Sequence, residues 1–131
     1  MSKKLFIKTK TIIPVSDIYD TLEWYEKVLG LKTTYIHGSG RRGEEEDFAN
    51  YAITERDGID IHFILDEGGP VWTRSGTGHL SLVVSDVNKL YESVVSQGVA
   101  VARELKEENW PARGFELEDP SGNLVHIEQP L

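Results

Sequence analysis

Apolar and polar positions along the chain fall into a pattern that occurs twice. Residues 10–15 and 79–84 are short runs with period-two alternation, the mark of a strand with two unlike faces. Each run leads into Ser-Asp, at Ser16-Asp17 and at Ser85-Asp86. Behind each pair, apolar residues recur at helical spacing: Ile18, Leu22, Tyr25 and Leu29 in the first copy, Val87, Leu90, Tyr91 and Val94 in the second. Ser16 or Asp17 is suited to cap a helix start, its side-chain oxygen accepting first-turn amide hydrogens. Both segments end at a glycine, Gly30 and Gly98, the residue that most readily takes the left-handed conformation closing a helix. The pattern predicts helices over 17–29 and 86–96. Three strands should follow each helix, near 32–37, 47–55 and 59–65, then near 100–106, 113–118 and 123–129.

The repetition extends to the last strand of each set. Asp57-Gly-Ile-Asp-Ile-His62-Phe-Ile is echoed by Ser121-Gly-Asn-Leu-Val-His126-Ile-Glu. A period of about 65 residues exceeds that of solenoid repeats and fits a duplicated supersecondary unit. The expectation is one α+β domain over residues 1–131, built from two tandem βαβββ modules forming a curved mixed sheet around a cleft. Module one spans about 10–65, a glycine-rich junction 66–78, and module two about 79–129. Turn signals separate the strands: His37–Gly43, Arg56-Asp57-Gly58, and Asp119-Pro-Ser-Gly-Asn123, where Pro120 presets φ.

Alternation also sorts side chains. Ile59, Ile61, Phe63 and Leu65 share a face that a helix should cover, leaving Asp60, His62 and Ile64 on the other. Leu80, Leu82 and Val84 oppose His79, Ser81 and Val83. Val125 and Ile127 oppose Leu124, His126 and Glu128, and in the first strand Lys10, Ile12 and Pro14 take the uncovered face. That face mixes polar and apolar groups, as a ligand-lining surface does.

A formal net charge of -8 argues against nucleic acid or an anionic membrane as partner, since both repel an acidic surface, and suits a cationic ligand. The absence of cysteine excludes disulfides, zinc–thiolate sites and thiol nucleophiles. No stretch has the apolar core of a signal peptide or the length to cross a bilayer, so a cytoplasmic protein is expected.

Four segments resemble the vicinal oxygen chelate superfamily, which includes glyoxalase I, ring-cleaving dioxygenases, fosfomycin-inactivating transferases and bleomycin resistance proteins. They are Ile13–Ile18, Trp24–Leu31, Gly78–Asp86 and Phe115–Ile127. The last, with Trp110 and Arg113 ahead of it, is most similar to the bleomycin resistance branch. Metal-dependent members place one ligand on the first and last strand of each module, which the resemblance carries to Lys10, His62, His79 and His126. His79 keeps the usual residue; Lys10 replaces the usual histidine and His126 the usual carboxylate. An ammonium at a ligand position repels a divalent cation, and Glu128 lies two residues beyond the carboxylate position. No cofactor is therefore expected. The alternative is a divalent metal such as Zn, Ni, Mn or Fe held by His62, His79 and His126, since three imidazoles and a water can hold zinc.

The resemblance implies two classes of function. In the first, the chain binds and sequesters a cationic glycopeptide antibiotic of the bleomycin type without altering it, giving resistance. Such a ligand wants anionic walls and aromatic platforms. Trp72 and Trp110 are the candidate platforms, with Asp60, His62, His126, Glu128 and Arg113 as ligand-binding residues. Glu116, Glu118 and the Glu44-Glu45-Glu46 run are further acidic candidates. In the second class the chain is a metal-dependent lyase, isomerase or transferase using the three histidines. The resemblance further implies a homodimer in which residues 1–9 pack across the partner or exchange with it.

Overall fold

Both Ser-Asp pairs begin helices. In this computed structural model, which describes residues 3–131, Asp17 accepts the amide of Asp20 ahead of α1 (Ile18–Leu29). Asp86 likewise accepts the amide of Lys89 ahead of α2 (Val87–Ser96). Gly30 stops α1 at φ 69°, its amide donating back to Glu26, and Gly98 follows α2 at φ 75°. Each helix carries its apolar stripe inward and leaves its polar side to solvent.

The first module is β1 (Ile12–Val15), α1, β2 (Lys32–His37), β3 (Tyr51–Arg56) and β4 (Ile59–Leu65). The second is β5 (His79–Val83), α2, β6 (Val101–Glu107), β7 (Ala112–Glu118) and β8 (Leu124–Pro130). The strands form two four-stranded sheets, ordered β1-β4-β3-β2 and β5-β8-β7-β6. In each, the leading strand lies parallel to the last and all other pairs are antiparallel. Two strand starts differ from expectation by more than one residue. β1 begins at Ile12, with the Thr11 carbonyl accepting a single bond from the His62 amide. Residues 47–50 lie outside β3 because they close a loop instead: Asp47 accepts from Ser39, Ala49 donates to Gly40 and Asn50 to His37. The β3–β4 turn puts both Asp57 and Gly58 at positive φ, 52° and 81°, the geometry of a two-residue hairpin turn.

The core lies between the helices and the sheets. Tyr25 meets the Phe63 ring at 4.7 Å and Tyr91 meets Phe115 at 5.1 Å, one aromatic pair per module. The modules are joined at a seam beside β1. Asn123, fully buried, donates through Nδ2 to the Pro14 carbonyl (2.8 Å) and to Asp119 (3.1 Å). Its Oδ1 accepts the amides of Gly76 (3.0 Å) and Gly78 (2.7 Å). Asp119 also accepts the Tyr25 hydroxyl at 2.8 Å, and burial, then that carboxylate, drive the phenol far above its ordinary pKa. The duplicate of Asn123 in module one is Ile59, which is exposed instead. It borders an open groove of about 790 Å³ between the end of α1, residues 82–86 and α2.

Candidate functional site

Polar chemistry collects on the uncovered sheet faces, around the two duplicated histidines. His62 stands in β4, 3% exposed, opposite Ile53 of β3 and Ile12 of β1. Asp60 Oδ2 lies 2.9 Å from its Nε2 and the Tyr51 hydroxyl 2.6 Å from its Nδ1. A carboxylate only accepts, so Nε2 carries the hydrogen and Nδ1 accepts from the phenol. Asp60 also accepts from Lys8 Nζ at 2.9 Å. Lys8, then His62, hold the Asp60 carboxyl down at about 2. Burial, reinforced by Asp60, raises the Tyr51 phenol, which keeps it a donor.

His126 occupies the same place in β8 and is wired differently. The register sets Glu116 of β7 and Ser81 of β5 beside it, with Arg103 of β6 beyond Glu116. Its Nδ1 lies 3.0 Å from Glu116 and its Nε2 2.7 Å from Glu128 and 3.5 Å from Glu108. Arg103 donates to Glu108 at 2.5 Å and stands 3.4 Å from Glu116. Trp110, 48% exposed at the rim, donates its indole hydrogen to Glu128 at 3.3 Å, with its ring 6.0 Å from the His126 ring. The result is a largely buried nook of three carboxylates facing one guanidinium and one imidazole, with an aromatic plate at its mouth.

The structure thus brings together His126, Glu128 and Trp110 with Glu116, and separately Asp60 with His62. Trp72 lies apart on the junction's 3-10 turn, 75% exposed. Arg113 points to the other side of β7, where Nε donates to Asn88 of α2, so it is a helix-anchoring residue. Glu108, Arg103 and Tyr51 were not identified from sequence. Glu108 lies in the β6–β7 turn, beyond the reach of alternation, and Arg103 sits between two register shifts in β6.

The residues that the resemblance offers as metal ligands do not form one ligand set. His62 is committed to Tyr51 and Asp60, His79 is exposed on β5, and Lys10 is exposed ahead of β1. Among the described residues, the group whose ligand atoms all lie within 4.8 Å of one another is Glu108, His126 and Glu128.

A duplicated βαβββ fold with a histidine on the last strand of each half defines a class. The model of the glyoxalase/bleomycin resistance protein/dioxygenase superfamily matches residues 9–127, and the chain belongs to that superfamily. A search of curated proteins by sequence finds no match. Among solved structures, a bleomycin resistance determinant encoded on the transposon Tn5 is similar at 17% identity and TM-score 0.71, over 95% of this chain and 98% of that one. TnmS3, an antibiotic binding protein from a Streptomyces species, is similar at 21% identity and TM-score 0.72, over 98% of this chain and all of that one. A glyoxalase-related enzyme from Clostridium phytofermentans reaches TM-score 0.73 at 13% identity, over 98% of this chain and all of that one. At these identities the likeness is one of fold.

Proposed function

We propose that this chain is a binding protein that sequesters a cationic, partly aromatic small molecule of the bleomycin type, unaltered. The observation that carries this reading is the Trp110 plate at the rim beside Glu128 and His126, with Glu116 on the far nitrogen of the same histidine. A flat cation can stack on the indole while its charge meets carboxylates that are already partly desolvated. The fold is shared with a bleomycin resistance determinant and with an antibiotic binding protein. Lys10 at a family ligand position and the engagement of His62 by Tyr51 and Asp60 favour capture over metal-assisted chemistry.

The working unit in this reading is a homodimer. Leu5, Phe6 and Ile7 stand 86–87% exposed on an N-terminal arm that forms neither helix nor strand. Three adjacent exposed apolar side chains are suited to burial against a second copy. Of the predicted exchanging segment 1–9, Met1 and Ser2 lie outside the described residues.

Calorimetric titration of metal-stripped protein with metal-free bleomycin at low ionic strength tests the reading. Sub-micromolar binding near one drug per chain, with the drug recovered intact, is expected. Trp110→Ala should weaken it by more than ~1 kcal/mol, roughly fivefold in Kd, as loss of an aromatic anchor does. No heat of binding would remove the drug assignment, and an unchanged affinity in W110A would remove the site.

A further inference from the structure

We propose that Asp60 anchors an organic-cation site on the uncovered face of module one, which the chain closes with its own Lys8. The ligand able to open it is a primary ammonium on a short apolar body. The site extends cation capture to module one and stands independently of the Trp110 nook, which belongs to module two. Lys8 Nζ lies 2.9 Å from Asp60 Oδ2, so an alkylammonium already sits on this carboxylate. Among the described residues Lys8 is the only lysine paired with a carboxylate, although Lys3, Lys4 and Lys10 share the same arm.

The carboxylate is oriented before any ligand arrives. His62, with a side chain 4% exposed, donates from Nε2 to the same Oδ2 at 2.9 Å, and the Tyr51 hydroxyl fixes the ring through Nδ1 at 2.6 Å. With Nδ1 accepting from the phenol, this series holds Asp60 in place while the counter-charge comes from Lys8. Apolar surface flanks the carboxylate. Tyr51 stands opposite Ile64 across β3 and β4, and Ile12 stands opposite His62 across β1 and β4. Ile12 and Ile64 are 46% and 38% exposed. A ligand with an ammonium head and an apolar stem meets both features, as a lysine side chain does.

Lys8 is nevertheless a weakly held occupant. Its side chain is 52% exposed and that of Asp60 31%, and an exposed pair of this kind gains little and is screened by salt. Among the described residues no other hydrogen bond ties residues 3–10 to the body, and each of them is exposed. What keeps Lys8 in place is its tether, which presents it to Asp60 at an effective concentration on the order of millimolar. A free amine displaces it only at comparable concentration, and in doing so unties the arm.

The probe is benzylammonium chloride, titrated at constant ionic strength and read by NMR from the backbone amides of residues 59–64. Lys8→Met is expected to bind it saturably and at least twofold more tightly than the intact chain, and the double variant K8M/D60N to lose that binding. Lys4→Met removes the same charge from the arm without touching Asp60 and should leave the affinity of the intact chain unchanged. Absence of saturable binding in K8M overturns the proposal. So does an equal gain in K4M, or binding at residues 59–64 that survives in K8M/D60N. The Trp110 indole resonance is followed in the same titration, so failure at Asp60 and failure at the Trp110 nook are read separately.

Discussion

Replacing Asn123 with alanine should cost about 3–4 kcal/mol of stability. The side chain makes four hydrogen bonds, and alanine leaves their partners behind. The Pro14 carbonyl is buried and loses its Asn123 donor, at roughly 1–3 kcal/mol for an unsatisfied buried group. The Gly78 amide is half-buried and adds about 1 kcal/mol, while the Gly76 amide is exposed enough to find water and adds little. Asp119 keeps the Tyr25 hydroxyl, so its loss is partial. Asn123→Asp should be at least as damaging, because it places a second carboxylate 3.1 Å from Asp119 and still removes the donor to Pro14. Urea unfolding is the assay, with the midpoint giving stability and the slope reporting cooperativity. In a chain of this size the alanine variant should also melt about 10 °C lower. Because Tyr25 and Asn123 share Asp119, Tyr25→Phe combined with N123A should depart from additivity by more than ~0.5 kcal/mol. A loss below 1 kcal/mol in N123A, with the slope unchanged, would show that the seam is held by packing and not by these bonds.

Asp60 should titrate near 2 when followed by carboxyl-carbon NMR, and Lys8→Met should raise that value towards about 3.9. The folded pKa is depressed, so the pairing stabilises the fold above about 3.9, and that contribution fades as pH falls towards 2. A normal midpoint in the intact chain would mean that Lys8 and His62 do not hold this carboxylate in solution. Deleting residues 1–9 should weaken dimerisation measured by sedimentation; a truncated chain that stays dimeric at every concentration would separate the arm from the interface.

Element order was legible because the chain states it twice, and a helix stripe between alternating runs leaves few other assignments. Alternation also placed His126 and Glu128 on one face and Asp60 beside His62, as the hydrogen bonds show. It carried one warning that the family resemblance overrode: Arg113 shares parity with Phe115 and Leu117, hence the helix side. The rest was beyond a period-two rule. Glu108 enters the nook from a turn, and Arg103 from a strand whose register slips twice. Both reach His126 through tertiary contacts that strand parity does not encode. Tyr51 meets His62 from two residues along β3 from the cross-strand position, a diagonal contact invisible before the register is known.

The seam leaves a mechanical imprint. Duplication would supply the same join on both sides of the two halves, yet Asn123 fastens one side while its counterpart Ile59 borders an open groove. Two rigid bodies latched along one edge have a natural axis of relative rotation at that edge. Opening and closing of the halves should therefore pivot near Pro14, Gly78 and Asn123, with the largest displacement at the groove. The pseudo-symmetric fold is in this respect fastened unequally on its two sides.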